Sequence, residues 1–145
     1  MKKKVLFVCV HNSARSQMAE ALLNEMCGDW FEAESAGLEP GALNPLAVEV
    51  MREIGIDIGG KETRGVTDVI KSGKRFDYVI TVCDESSAAQ CPVFSGPATS
   101  IHWNFSDPSQ FTGTWEERLE QTREVRDAIE SKIEKFCPSS CRAVA

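Results

Sequence analysis

After a short basic lead, the chain runs without interruption through Val5-Leu6-Phe7-Val8-Cys9-Val10 and passes directly into His11-Asn12-Ser13-Ala14-Arg15. Alternation of apolar and polar residues would suit a strand with one wet face. A continuous run from Lys4 to Cys9 instead suits a strand covered on both faces of a parallel sheet. From Ser13 to Cys27 the pattern turns helical, with Met18, Ala21, Leu22 and Met26 sharing one face. A buried strand that feeds straight into a helix requires a crossover to a parallel neighbour.

The alternation repeats along the chain. Trp30 to Ala36 reads as a second strand ended by Gly37, and Asn44-Pro45 opens a helix that Gly55 stops. Thr67 to Lys71 is a short helix, Phe76 to Cys83 a buried strand and Ser100 to Trp103 a fourth strand. Thr114-Trp115-Glu116-Glu117 fits a capping box, and Leu119, Val125, Ile129, Ile133 and Phe136 form the apolar stripe of the helix behind it. These elements predict an α/β fold with a mostly parallel sheet. Ligands of such sheets bind beyond the carboxyl ends of the strands, where Cys9 and Cys83 both fall.

The length of 145 residues suits one domain, read as residues 1–136 with a Cys-containing tail at 137–145. A net charge of −6 gives no basic face for nucleic acid or an anionic membrane, so an anionic substrate must be attracted by a local positive site. The first apolar run is too short for a secretory core or a membrane span, so the expectation is a cytoplasmic protein, acting as a monomer. In a reducing compartment Cys9, Cys27, Cys83, Cys91, Cys137 and Cys141 are not expected to build a disulfide framework, and their spacing does not match a structural zinc site. Cys27 is read as packed in the core. Cys137 and Cys141, four apart, could pair or bind a soft metal, but their default reading is a frayed tail.

Cys9-Val10-His11-Asn12-Ser13-Ala14-Arg15-Ser16 joins the first strand to its helix. A loop there can aim successive backbone N–H groups inward and add the positive end of a helix dipole, making a cradle for an oxyanion. Arg15 can return a planar guanidinium to two oxygens of a tetrahedral anion. The same field favours the nucleophilic thiolate of Cys9, to which Ser16 can donate. Asn12 suits a left-handed position in a loop without Gly, and His11 reads as a loop residue rather than a catalytic one. The competing reading is a buried Cys at a strand end with a solvated Arg15. Cys-x5-Arg-Ser at a strand-to-helix junction is too specific for that reading.

This pattern resembles the low-molecular-weight tyrosine phosphatase superfamily and, within it, the thioredoxin-coupled arsenate reductases. The likeness runs through Asn12-Ser13-Ala14-Arg15-Ser16-Gln17-Met18-Ala19-Glu20, Ser35-Ala36-Gly37, Asn44-Pro45, Gly55-Ile56-Asp57-Ile58, Val82-Cys83, Cys91-Pro92, His102-Trp103-Asn104-Phe105-Ser106-Asp107-Pro108 and Val125-Arg126-Asp127. The resemblance implies a three-layer fold, with a four-stranded parallel sheet flanked by helices, and an Asp107 that faces the anion loop as general acid. The competing reading of Asp107-Pro108 is a simple turn. Many relatives carry a second Cys where Ala14 stands, so no disulfide can form within this loop. Some bind a potassium ion through residues matching Asn12, Glu20 and Ser35, with a further acidic ligand where Arg64 falls here. The tail from Cys137 to Cys141 has no counterpart in the family pattern.

Reduction of arsenate to arsenite takes two electrons, which one thiol cannot supply while returning to its starting state. The resemblance implies Cys9 as nucleophile, Cys83 as the thiol that resolves the arsenylated enzyme, and Cys91 as the thiol that frees Cys9 by exchange. No tightly bound cofactor is expected. The electrons come from an external thiol reductant, thioredoxin or glutaredoxin-like, and phosphate or sulfate should act as oxyanion analogues. Were residues 84–90 helical, Cys83 and Cys91 would stand about 12 Å apart at ~1.5 Å per residue, beyond the roughly 7 Å that a disulfide tolerates. The segment is therefore expected to be partly helical when reduced and looped out when oxidised. The rival readings are a phosphotyrosine or phosphomonoester phosphatase using Cys9, Arg15 and Asp107, and a non-catalytic oxyanion-binding redox module. The triplet Cys9, Arg15 and Asp107 argues against the module.

Overall fold

A computed structural model describes residues 2–82 and 98–137. Strand β1 spans Lys3–Cys9, β2 Phe31–Gly37, β3 Tyr78–Thr81 and β4 Thr99–His102. They form one parallel sheet of four strands in the order β2-β1-β3-β4. Helix α1 spans Arg15–Cys27, α2 Pro45–Arg52, α3 Val66–Lys71 and α4 Trp115–Phe136. The α/β fold with a parallel sheet expected from the alternation is found, in the three-layer form with four strands that the resemblance implies.

The continuous apolar run has its reason in β1. Val5, Phe7 and Cys9 enter the larger core with α1, α2 and α4, whereas Leu6 and Val8 enter a second core with Val66 and Val69 of α3. Each face of the strand is thus covered, and alternate residues serve opposite layers. Order β2-β1-β3 also means that the connections leaving β1 and β2 run to opposite sides of β1. The crevice that this reversal opens lies at the carboxyl end of β1, beside β3.

Local signals set the helix boundaries. The Asn44 side chain accepts from the Leu46 N–H and Pro45 occupies the first turn of α2. Gly55, at φ +82°, turns the chain away after it. Both hydrogen bonds of the Thr114–Glu117 capping box are present at 3.2 Å. Leu119, Val125, Ile129 and Ile133 are buried, and the Phe136 ring packs against Phe31, Tyr78 and Trp103. Helix α1 differs from expectation: it starts at Arg15 rather than Ser13, with Ala14 as an N-cap that offers no side-chain bond.

The cysteines require a correction. Cys27, at the end of α1, and Cys137, just past α4, form a disulfide with a Cα separation of 6.4 Å, and both are buried. Cys137 is therefore no frayed residue, and the expectation that no cysteine serves as a structural cross-link fails for this pair. The reason is tertiary: α1 and α4 pack side by side, which brings together ends 110 residues apart in sequence. Cys83, Cys91, Cys141 and the segment 84–90 lie outside the described residues. Among the described residues no helix is long and apolar enough to cross a membrane.

Closing a loop of 110 residues removes about 5 kcal/mol of chain entropy from the unfolded state. Cys27→Ala is expected to lower the thermal midpoint, followed by circular dichroism without reductant, by roughly 10 °C or more. A strong reductant added to the unaltered protein should reproduce most of that drop.

Candidate active site

Cys9 ends β1 with its side chain buried, and it is the free cysteine among the described residues. Its Sγ lies 2.9 Å from Ser16 Oγ and 3.2 Å from the Asn12 N–H, which donates to it. Asn12 takes φ +54°, the left-handed position expected of it. Its fully buried side chain is held on both ends. Nδ2 donates to Ser16 Oγ at 2.8 Å, while Oδ1 accepts from the Arg64 N–H at 2.9 Å and from Gln17 Nε2 at 3.2 Å. With Asn12 Nδ2 donating to it, the Ser16 hydroxyl is oriented to give its own hydrogen to sulfur.

The loop is held from outside by its carbonyls. Cys9 O accepts from Leu38 N at 3.0 Å, Val10 O from Glu39 N at 2.7 Å, His11 O from Gly41 N at 3.0 Å and Ser13 O from Asn44 N at 2.8 Å. A trans peptide sets each N–H opposite the carbonyl before it. Pinning those oxygens outward therefore turns the N–H groups of Val10, His11, Asn12 and Ala14 the other way. The Asn12 N–H, which meets the sulfur, shows that direction. Together with the first turn of α1, these inward N–H groups form a cradle of the kind that can stabilise an anion.

Gly37 makes the clamp possible. A Cβ there would lie 2.7 Å from Asn12 N, 2.8 Å from the His11 carbonyl carbon and 2.9 Å from Val10 O. All three are backbone atoms of the loop, so no side-chain rotation relieves the contact. Gly37 N also donates to Arg64 O at 2.8 Å, joining β2 to the segment that holds Asn12.

Arg15 is buried at 3% exposure, and its NH1 donates to Phe105 O at 3.1 Å. Its NH2 lies 3.4 Å from Asp107 Oδ2. Asp107 Oδ1 accepts from the Ser109 N–H at 2.9 Å, starting the short helical turn Pro108–Gln110. The two readings of Asp107 thus coexist: it makes the local turn and also reaches the anion loop. His11 is turned outward, with Nδ1 2.9 Å from Glu39 O, so it supports the clamp rather than the cradle. Beside the loop, a cleft of about 290 Å³ is bordered by Ser13, Asn44, Pro108, Phe111, Trp115 and Arg118.

Behind the loop, Glu20 is buried, and its Oε1 accepts from Ser35 Oγ at 2.9 Å. Its other oxygen forms an ion pair with Lys61 Nζ. Burial lowers the pKa of Lys61, and repulsion from Arg64 adds to the effect. Arg64 sends its guanidinium to Glu34 Oε1 at 3.1 Å and Ser35 O at 3.2 Å. The roles of Gln17, Gly37, Lys61 and the backbone of residues 38–44 went unread in the sequence. Only the Gly in Ser35-Ala36-Gly37 and the Gln directly after Arg15-Ser16 were signals from which they could have been found.

Among known proteins, residues 4–144 match the model of the low molecular weight phosphotyrosine protein phosphatase family. An arsenate reductase of Shouchella clausii is 40% identical over 136 residues, covering 93% of this chain and 95% of that protein. A solved arsenate reductase in a phosphate-binding state superposes with a TM-score of 0.73 at 31% identity, over 92% of this chain and 95% of the other. A thioredoxin-dependent arsenate reductase of Corynebacterium glutamicum gives a TM-score of 0.62 at 30% identity, over 94% of this chain and 64% of that one.

The clamp makes Gly37→Ala the sharpest test of the cradle. The substitution is expected to weaken sulfate binding, measured by calorimetry, on the order of 100-fold. The far-UV spectrum should keep its α/β character.

Proposed function

The chain belongs to the low-molecular-weight phosphotyrosine protein phosphatase family, and from that premise we propose that it reduces arsenate to arsenite by a relay of Cys9, Cys83 and Cys91. The observation that carries the reading is a free, buried thiol inside an outward-clamped loop, faced by an arginine already paired with an aspartate. The arsenate reductases among its relatives support the choice of substrate.

Arsenate enters with its oxygens on the inward N–H groups and on the Arg15 guanidinium. The Cys9 thiolate attacks arsenic, an arsenic–oxygen bond breaks, and Asp107 in its protonated form gives the leaving oxygen a proton so that it departs as water. The Cys83 thiolate then attacks Cys9 Sγ. A Cys9–Cys83 disulfide forms, the sulfur–arsenic electron pair stays on arsenic, and arsenic falls from the +5 to the +3 state as arsenite leaves. Cys91 attacks Cys83 and releases Cys9 as a thiolate, leaving a Cys83–Cys91 disulfide. An external dithiol reduces it, and the thioredoxin-dependent relative favours a thioredoxin-type protein over glutaredoxin. No tightly bound cofactor takes part, and the protein works as a cytoplasmic monomer.

A weak phosphatase activity shares the first step, since the same thiolate, guanidinium and aspartic acid suffice for phosphoryl transfer and water completes it. The cleft bordered by Phe111 and Trp115 favours aryl phosphates, giving their rings an apolar wall beside the loop.

Cys83→Ser separates the two reactions. Arsenate turnover with a thioredoxin system should be lost, while hydrolysis of an aryl phosphate stays within about threefold of the unaltered protein. Sustained arsenate turnover by this variant would refute the relay. Cys91→Ser should complete one turnover and accumulate a Cys9–Cys83 disulfide, detectable by peptide mass mapping.

A further inference from the structure

Some relatives bind a potassium ion through residues matching Asn12, Glu20 and Ser35, and the residues of this chain do not fit one. Both Glu20 oxygens are engaged, by Ser35 Oγ and by the Lys61 ammonium. Asn12 Oδ1 already accepts from Arg64 N and Gln17 Nε2. Where the pattern calls for another acidic ligand stands Arg64, whose guanidinium spans Glu34 and the Ser35 carbonyl. A free cation would meet two fixed positive charges and find no carboxylate oxygen of Glu20 unoccupied.

We infer that Lys61 is a positioning residue for the anion loop, its tethered ammonium serving Glu20 as a built-in monovalent cation. The path from Lys61 to sulfur is short. Lys61 pairs with Glu20 of α1, one turn beyond Ser16 and Gln17. The pairing lays residues 61–64 against that helix, where Glu62 O accepts from Gln17 Nε2 at 3.2 Å and Arg64 N reaches Asn12 Oδ1 at 2.9 Å. Asn12 in turn presents its N–H to Cys9 Sγ and its Nδ2 to Ser16 Oγ. Removal of the ammonium leaves a buried carboxylate without its counter-charge, a costly state that draws in water or an ion. It also frees the segment that orients Asn12. The space exists for a replacement: Gln17, Glu20, Lys61, Glu62 and Arg64 line a cleft of about 290 Å³. A tethered charge needs no ion from solution, so the loop should be equally well formed at any potassium concentration.

The inference rests on the reading of the Cys9 loop as an oxyanion site, and the test keeps the two apart. Sulfate binding is measured by calorimetry and aryl phosphate hydrolysis by absorbance, for the unaltered protein and for Lys61→Ala. Potassium is varied against choline at constant ionic strength. The unaltered protein is expected to bind sulfate with an affinity that does not change with potassium. Lys61→Ala should bind sulfate and turn over on the order of 10- to 100-fold more weakly in choline. Potassium or ammonium, small enough to enter the cleft, should restore most of the loss, and tetramethylammonium should not. A several-fold gain of the unaltered protein with potassium would overturn the inference, even if Lys61→Ala fails to fold. So would a Lys61→Ala variant that matches the unaltered protein in choline, or one that no small cation restores. Failure of the unaltered protein to bind any tetrahedral oxyanion would instead overturn the reading of the loop.

Discussion

Gly37 sits against the backbone of His11 and Asn12 at distances that leave no room for a Cβ, and most of the active-site geometry descends from that contact. It lets the chain leaving β2 run along the outside of the anion loop. There it donates N–H groups to the carbonyls of Cys9, Val10, His11 and Ser13 in turn. A loop that binds an anion with its N–H groups must put its carbonyls somewhere, and buried carbonyls without partners are expensive. Here the second strand's exit supplies those partners, so the cradle exists before any anion arrives. On the proposed reading, an anion would bind with little rearrangement, its donors already aimed for the charge that develops during reaction.

The sheet order supplies the rest of the frame. With β1 between β2 and β3, residues at its carboxyl end are flanked on one side by Gly37 and on the other by the exit of β3. Val82 N donates to Val8 O at 2.9 Å, so the chain that continues to Cys83 leaves β3 one strand away from Cys9. Across the loop, Phe105 O and Asp107 hold the Arg15 guanidinium from the third side. Arg15 thus sets a local positive group at the loop of a protein whose net charge is −6.

What the sequence made legible was local in origin. The β1 run, the Asn44-Pro45 start and the Thr114–Glu117 box are each decided within a few residues, and the structure repeats them with shifts of one to three positions at element ends. Cys9 and Arg15 stood out because Cys-x5-Arg-Ser lies at a strand-to-helix junction, whereas Asp107 was read through the family resemblance, its own local signal being an Asp-Pro turn. The Cys27–Cys137 disulfide was not, since it depends on how α1 and α4 lie together and no spacing encodes that. The clamp by residues 38–44 was hidden for another reason: it is made by backbone N–H groups, which every residue but proline owns. Lys61 was hidden because a lysine in a polar stretch reads as a solvated charge until a buried carboxylate is found beside it.

Ion pairs join the elements that surround the loop. Glu20 with Lys61, Glu34 with Arg64 and Lys74, and Arg126 with Glu53 and the Val50 carbonyl tie α1, β2, α2 and α4 into one body. Glu34 and Glu53 are held below the usual carboxylate range by their cationic partners, even though burial of Glu34 pulls the other way. Those two carboxylates therefore stay ionised to a lower pH than unpaired ones, and the Cys27–Cys137 link adds a covalent tie between α1 and α4. A relay in which Cys83 meets first Cys9 and then Cys91 requires one stretch of chain to change its path while the cradle keeps its shape. Among the described residues, the ion pairs and the cross-link hold α1, β2, α2 and α4 around the cradle, the part that the proposed relay needs to keep its shape.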